Sequence, residues 1–333
     1  MSVAETPAPL PAPYFEDLSV GQVDRSAPAA TLTDGMAAVH QSIVGDRLAL
    51  ALDSEMARRV LGTDSTLAHP ALVWDLAIGQ STGLTGRVVA NLFYRGLAFR
   101  WAPVIGDTLS TATEVVALRE TSRKAGRAPT GLAALRVRTT DQEGRSVLDF
   151  WRCAMLPLRE HDATTGAADS LDAIPAELPE RTLTEAVATW NLEGLGDGRL
   201  LSAPPGTRWR SHAGDVVSSA PELARLTLNV AAVHHDGASK SAERLVYGGH
   251  TIGLAAAQAS RALPEILTIV AWHSCDHLAP VREGDTLRSE IELERVDPLP
   301  AGGALAHLRS RVNAVRGPED VPVLDWRYVA VVA

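Results

Sequence analysis

The sequence is poor in cysteine, in aromatic residues and in long apolar runs. Only Cys153 and Cys275 occur among its 333 residues, which is too few for a disulfide framework or a thiolate zinc site. No uncharged apolar run approaches the ~18 residues that a transmembrane helix requires. The first residues also lack the basic and apolar segments of a secretory signal. We therefore expect a cytoplasmic protein that does not bind or cross a membrane.

A surplus of basic residues is missing as well. Lys and Arg total 31 against 40 Asp and Glu, which gives a formal net charge of −9, so a general nucleic-acid binder is disfavoured. Apolar residues make up 46% and charged residues 21% of the chain, as in ordinary globular proteins. At roughly 150 residues per domain, this length predicts two domains.

The clearest positive signal is an internal repeat. Residues 102–109 read APVIGDTL and residues 279–287 read APVREGDTL. A second motif follows each copy, VLDFWR at 147–152 and VLDWRY at 323–328. The unit is too long for a solenoid repeat, so a duplicated domain is the better interpretation.

Capping and periodicity predict the same order of elements in both halves. Apolar helices are predicted at 70–79 and 250–259, and the second contains Gly253 and Ala255–Ala257, which allow a sheet to approach closely. The other expected elements are helices within 33–44, 53–62 and 219–229 and strands at 108–119, 131–140, 146–156, 266–273, 286–296, 304–315 and 322–332.

A small-residue helix wrapped by antiparallel strands is a hot-dog unit, so the sequence predicts an α+β double hot dog. The expected organisation is a disordered arm at 1–13, a degenerate N-terminal domain at 14–159, a surface linker at 160–205 and a catalytic C-terminal domain at 206–333. The linker is predicted from its Pro, Gly, Ala and acidic composition.

The stretch at 226–250 carries the candidate chemistry. Asn229 and His234 stand five residues apart, at the end of a helix and in the following loop, where catalytic groups are often placed. Histidine titrates near neutral pH and suits acid/base catalysis. An asparagine amide cannot act as a general base, and Asn229 could also simply end the helix.

The run Tyr247-Gly248-Gly249-His250 opens the second apolar helix. Backbone N–H groups at a helix start, aided by the helix dipole, can bind a thioester carbonyl or an oxyanion. We assign that role to the Gly249 N–H and expect Tyr247, Gly248 and His250 to contact substrate. Tight entry into the helix would by itself also favour glycine here.

These residues resemble the MaoC-type enoyl-CoA hydratases, and most closely their mesaconyl-CoA hydratase branch. The likeness is carried by the run 246–250 and the Asn229/His234 pair. It extends to the segments at 14–17, 45–50 and 89–92 and to both APV…GDTL blocks.

The resemblance implies reversible addition of water to a 2-enoyl-CoA, catalysed in the family by an Asp and a His five residues later. His234 matches the His and Asn229 replaces the Asp, so we expect His234 to exchange the proton and Asn229 to orient the water. The first half keeps Asp46 but has Ala51 at the His position, and is expected to be inactive.

Coenzyme A phosphates and an acyl carboxylate need cationic partners. Lys240, Arg244 and Arg282 are candidates for the phosphates, and Arg47 or Arg100 for a carboxylate. We expect no metal, because His273 and His277 lie about 13 Å apart along a strand at roughly 3.3 Å per residue.

No cofactor is expected beyond the coenzyme A of the substrate, and the family resemblance implies a homodimer. The best specific substrate is mesaconyl-CoA or β-methylmalyl-CoA. The alternatives are a dehydratase acting on a carrier-protein thioester, a hot-dog thioesterase and a non-catalytic acyl-CoA-binding module.

Overall fold

A single antiparallel sheet of twelve strands connects both halves of the chain. The computed structural model describes residues 12–123, 126–172, 174–175, 177–195, 198–236, 244–317 and 319–333. Most of the predicted N-terminal arm, residues 1–11, lies outside the described residues. Within them, no helix is both long enough and apolar enough to cross a bilayer.

The elements alternate between short helical segments and long strands. The strands are β1 (Val23–Asp24), β2 (Ala30–Thr31), β3 (Ala90–Phe99), β4 (Thr108–Glu120), β5 (Thr130–Thr140), β6 (Ser146–Pro157), β7 (Arg208–Arg210), β8 (Asp215–Val216), β9 (Ile266–His277), β10 (Thr286–Pro298), β11 (Ala304–Arg316) and β12 (Glu319–Val332). The α-helices are α1 (Asp34–Val44), α2 (Ala49–Leu52), α3 (Ser54–Leu61), α4 (Pro70–Gln80), α5 (Glu180–Glu185), α6 (Arg199–Ser202), α7 (Ala220–Leu226) and α8 (Gly248–Ala262).

The strand order shows the duplication directly. It runs β1-β4-β5-β6-β3 through the first half and β9-β12-β11-β10-β7 through the second, with β2 on β4 and β8 on β10. The halves meet where β3 pairs with β9, in a register that places Tyr94 opposite Cys275. Each half wraps its strands around one long helix, α4 or α8, so the predicted double hot dog is confirmed.

The two central helices are buried because almost every residue along them is apolar or small. All eleven residues of α4 are buried, and so are residues 249–260 of α8, as expected for a helix without a polar face. A Cβ atom at Gly253 would lie 2.7 Å from the Val44 side chain. Glycine therefore lets α1 pack directly on α8.

The predicted helix ends are confirmed at both caps of α1 and α3. Thr33 and Asp53 accept hydrogen bonds from the N–H groups of Met36 and Met56, at 3.2 Å and 2.9 Å. Gly45 and Gly62 end these helices with φ of 67° and 66°, a conformation that favours glycine.

The sequence-based prediction missed β3, the strand that joins the halves. Its burial does not alternate, because one end lines the rim of a cavity and the other is enclosed. A register shift also interrupts its pairing with β6 between Arg95 and Ala98, around Gly96 with φ of 61°. The period-two signal of a half-buried strand is therefore lost.

The segment predicted as a surface linker contributes buried residues of its own. It contains α5 and α6, and Leu183, Val187 and Trp190 pack with residues of β9, β11 and β12. Trp190 is 4% exposed and fills a crevice beside Pro70, at the start of α4. The segment therefore covers one face of the sheet.

We expect Trp190→Ala to destabilise the fold by roughly 3–5 kcal/mol, the usual cost of truncating a buried tryptophan. The matched control is Trp101→Ala, because Trp101 is 44% exposed and packs mainly against Arg145. Urea unfolding followed by circular dichroism measures both losses. Equal losses in the two variants would show that Trp190 does not anchor the linker.

Candidate active site

A cavity of about 400 Å³ lies between the two halves, at the start of α8. Its mouth includes the exposed side chains of Val89 and Leu278. Its inner wall includes the buried side chains of Ile78, Tyr94 and Arg152. This gradient of exposure suits a ligand with a small buried end and a large solvated end.

Of the nine predicted site residues, eight are described, and five of these line the cavity while three do not. The lining residues are Asn229, His234, Tyr247, Gly248 and Arg282. Gly249 and His250 lie behind the wall, and Arg244 lines a neighbouring surface depression. Lys240 falls outside the described residues.

His234 ends a single 3₁₀ turn, Ala232–His234, and its ring stands edge-on to Tyr247 with centroids 5.8 Å apart. Its Nδ1 lies 2.9 Å from the carbonyl oxygen of Leu245. Because a carbonyl can only accept, Nδ1 carries the hydrogen and Nε2 carries the lone pair. Burial lowers the pKa of His234 to about 4, so the ring is neutral at pH 7.

Asn229 is held by a strained turn after α7. The preceding residue, Leu228, has φ of 59°, which is unfavourable for a bulky side chain. The Asn229 Oδ1 accepts a hydrogen bond from the Ala231 N–H at 2.9 Å, and the Asn229 carbonyl accepts one from His235 Nε2 at 2.6 Å. These bonds fix the amide while its side chain stays on the cavity wall. Strain is often concentrated at functional positions.

A close backbone contact holds this turn against the first half. A Cβ atom at Gly79 of α4 would collide with the carbonyl group of Thr227. The Val230 N–H also donates to Thr82 Oγ1 at 3.0 Å. The first half therefore contributes the support on which Asn229 and His234 are placed.

The two glycines at the start of α8 face different neighbours. A Cβ atom at Gly248 would lie 2.7 Å from His277 Nε2, on the cavity side. One at Gly249 would collide with the Asp75 carboxylate and the Tyr247 ring. Gly248 thus lets the His277 ring pack against the helix start, whereas Gly249 lets α4 approach it.

Behind the wall, Asp75 connects Tyr247 to His40. The Tyr247 hydroxyl lies 3.3 Å from Asp75 Oδ1, and His40 Nε2 lies 3.2 Å from Asp75 Oδ2. Burial raises the pKa of Asp75 and lowers that of His40. Burial and the nearby Asp75 raise the pKa of Tyr247 far above its usual range. Tyr247 is therefore a fixed hydrogen-bond donor rather than a proton carrier.

The first half retains the outline of a second site in closed form. Asp46 follows a positive-φ residue, as Asn229 does, but its carboxylate is buried against His69 Nε2. The residues on either side of His69, Ala68 and Pro70, line a crevice of only about 20 Å³ together with Trp190. The inactivity of the first half stays a prediction.

The predicted carboxylate partners lie elsewhere. Arg100 is ion-paired with Glu185, and the side chain of Arg47 is exposed, so neither lines the cavity. Arg244 pairs with Glu283 at the surface. The cavity is also lined by Arg152, which the sequence analysis did not single out. Arg152 belongs to the repeat motif VLDFWR, which we interpreted as a sign of duplicated structure and not of a functional site.

His273 and His277 are also separated. His273 contacts His307 at 3.0 Å, away from the cavity, whereas His277 lines it. Across the described part of the chain, no group of three or more His, Cys, Asp or Glu side chains is arranged to bind a metal.

Comparison with models of protein families gives no match. Among characterised proteins, the chain is 30% identical over 327 residues to mesaconyl-CoA hydratase of Cereibacter sphaeroides, covering 91% of this chain and 89% of the relative. It is 29% identical over 329 residues to β-methylmalyl-CoA dehydratase of Chloroflexus aurantiacus, with 96% and 91% covered.

Two solved structures match over nearly the whole chain. A Mycobacterium tuberculosis protein described as having a double hotdog fold gives a TM-score of 0.89 at 52% identity, covering 96% of this chain and 98% of its own. A Chloroflexus aurantiacus protein described as a MaoC domain dehydratase gives 0.85 at 27% identity, with 99% of both chains covered.

The fold is that of a double-hot-dog enzyme, with an open cavity between its two halves at the start of α8. The chain belongs to the MaoC-like hydratase and dehydratase family, and it is a hydro-lyase.

Proposed function

We propose that the protein reversibly adds water to the double bond of a short 2-enoyl-CoA, with mesaconyl-CoA and β-methylmalyl-CoA as the substrate pair. The observation that carries this proposal is the tautomer of His234. A neutral ring with its Nε2 lone pair available shares one cavity with Asn229 and with the start of α8. Relatives named for these two thioesters support the choice of acyl group.

In the hydration direction, His234 Nε2 takes a proton from water as the water oxygen bonds to the β-carbon. The electrons of the double bond move toward the thioester carbonyl, forming an enolate. The protonated His234 then gives its proton to the α-carbon, so one water has been added. Asn229 orients the water by hydrogen bonding, and acid/base catalysis of this kind contributes ~10²–10⁴-fold.

The enolate oxygen needs hydrogen-bond donors that are already in position. We assign this role to the N–H group of Gly248, which lines the cavity, rather than to that of Gly249, because Gly249 lies behind the wall. The Gly248 N–H precedes the first intrahelical bonds of α8. Coenzyme A then extends through the mouth past Val89 and Leu278, and Arg282 at the rim faces its phosphates. No resident cofactor enters this scheme.

The alternatives differ in what they require of the cavity. A thioesterase must activate water at the thioester carbon, for which a carboxylate is the usual group, and none of the described lining residues is Asp or Glu. A carrier-protein dehydratase would use the same chemistry with a different thioester. A binding module would use the same cavity without turnover.

We expect mesaconyl-CoA to be hydrated faster than crotonyl-CoA and longer enoyl-CoAs. Loss of the enoyl absorbance and a mass gain of one water measure the reaction. Release of free CoA, detected with a thiol reagent, would instead indicate a thioesterase. Turnover of carrier-protein thioesters but not of CoA thioesters would show that the substrate is carrier-bound. Binding of an acyl-CoA without any turnover would refute the proposed catalysis.

A further inference from the structure

The inner wall of the cavity contains an arginine that the reaction scheme does not use. Arg152 lies on β6, opposite Tyr94 of β3, and is 2% exposed. It lines the same cavity as His234 and Asn229. Its position is therefore at the buried end, where the acyl part of a thioester would lie.

Within the described part of the chain, the charge of Arg152 has no carboxylate partner. Its Nη2 donates to the Ser81 carbonyl at 2.8 Å and to Thr85 Oγ1 at 2.6 Å, and both acceptors are neutral. Its Nε is buried without an acceptor. Among the described residues, no Asp or Glu oxygen lies within 4.0 Å of its guanidinium group.

Two other arginines of the same sheet are paired with carboxylates. Arg136 of β5 forms two hydrogen bonds to Asp149, at 3.0 Å and 2.7 Å, and Arg309 of β11 pairs with Asp325 in the same way. Both are more exposed than Arg152. Burying an ion without a partner is costly, and among these three arginines the most buried one, Arg152, is the one for which the described residues provide no carboxylate.

The end of α4 accounts for only part of this arrangement. The Ser81 carbonyl follows the last turn of α4, where a positive charge is favourable, and this explains the two bonds of Nη2. The end of α4 does not provide an acceptor for the Arg152 Nε, and it does not provide a carboxylate that would balance the charge of Arg152.

The fold does not require arginine at this position. Aligning the repeat motifs places Tyr328 of β12 where Arg152 stands in β6. Tyr328 is buried and lies 3.3 Å from the Ser310 hydroxyl through its own hydroxyl. The second copy of the motif therefore carries a neutral side chain at this position, whereas the first copy carries a charged one that lines the open cavity.

We propose that Arg152 binds a carboxylate at the far end of the acyl chain, which makes the site specific for CoA thioesters of dicarboxylic acids. The guanidinium fork matches a carboxylate with two hydrogen bonds, and Nε together with an Nη nitrogen forms such a fork. The carboxylate supplies the missing counter-ion when substrate binds. This inference rests on the proposed function and adds the residue that selects the acyl group.

The test compares two substrates of nearly equal shape. Mesaconyl-CoA with its thioester at C1 differs from tiglyl-CoA, (E)-2-methylcrotonyl-CoA, only in carrying a carboxylate in place of the terminal methyl group. For the wild-type protein we expect kcat/KM to favour mesaconyl-CoA by ~10²-fold or more, since a buried polar group left unpaired strongly disfavours the wrong substrate. Arg152→Gln should abolish this preference, while Arg152→Lys should restore part of it.

The matched control is Arg136→Gln, which removes a paired arginine outside the cavity and should leave the substrate preference unchanged. Circular dichroism and thermal unfolding check that each variant is folded. If Arg152→Gln lowers turnover of both thioesters by the same factor, Arg152 has only a structural role. If the wild-type protein prefers tiglyl-CoA, the assigned substrate class is wrong although hydration stands.

Binding separates this inference from the proposed reaction. Methylsuccinyl-CoA and 2-methylbutyryl-CoA have no double bond and differ in the same carboxylate. Calorimetry should show tighter binding of methylsuccinyl-CoA by ~10²-fold in the wild-type protein and similar Kd values in Arg152→Gln. This difference in affinity would support the role of Arg152 even if no enoyl-CoA were hydrated. Equal affinities of the wild-type protein for the two thioesters would overturn that role.

Discussion

Replacing His234 by alanine should lower kcat for enoyl-CoA hydration by ~10³-fold or more, because it removes the group that both takes and returns the proton. The fold should remain, since the ring makes one hydrogen bond, to the Leu245 carbonyl. Substrate binding should change little, because Arg152 and the start of α8 are untouched. Initial rates with mesaconyl-CoA and calorimetric binding of methylsuccinyl-CoA measure these two effects.

The matched control is His212→Ala, which removes an exposed histidine outside the cavity. Asn229→Asp provides a second comparison, because it restores the carboxylate of the family pattern and keeps an oxygen to accept from the Ala231 N–H. It should retain activity. Near-normal turnover in His234→Ala would rule out the proposed mechanism.

The protein should lose stability between pH 6.5 and pH 4. Burial lowers the pKa of His234, His250, His273 and His277 to about 4. In the unfolded chain these groups titrate near 6.5, so between the two values the unfolded state binds more protons and acid favours unfolding. Each histidine then costs roughly 3 kcal/mol at pH 4, at 1.36 kcal/mol per pKa unit.

A loss of this size is large beside the ~5–15 kcal/mol stability of an ordinary domain. Asp75 acts in the opposite sense, because burial raises its pKa, but burial also lowers the pKa of two further histidines, His40 and His307. We therefore expect cooperative acid unfolding above pH 4. It can be followed by tryptophan fluorescence during a titration from pH 8.

His250→Leu tests the cause of this acid transition. His250 is fully buried and neither ring nitrogen has a hydrogen-bond partner, so leucine removes a titrating group without breaking a bond. The acid midpoint should move to lower pH. His161→Leu is the matched control, since its side chain is 75% exposed, and an equal shift in both variants would contradict the explanation.

The sequence predicts the repeated parts of this molecule well and its single-copy parts poorly. Both central helices and the strands of the repeat motifs follow from apolar runs, caps and the duplication itself. β3 was missed because it is buried differently at its two ends, which removes the alternating pattern. The position of Trp190 depends on a crevice formed by distant segments, and no local pattern encodes that.

The candidate site shows the same division. Asn229, His234 and Gly248 are found from sequence because they lie in one short stretch with recognisable spacing. Arg152 is nearly eighty residues upstream of the nearest of them, and its lack of a counter-ion becomes visible only after folding. Whether a charged residue has a partner depends on the residues that surround it in the fold, so it cannot be inferred from composition or spacing.

The pairing of β3 with β9 has a consequence for how the two halves stay together. Were the halves separate polypeptides, their association would weaken on dilution. Tethering makes the encounter intramolecular and independent of protein concentration. Each half is also always paired with the other half of the same chain. Only one of the two therefore needs an open cavity, and the other can serve as its support.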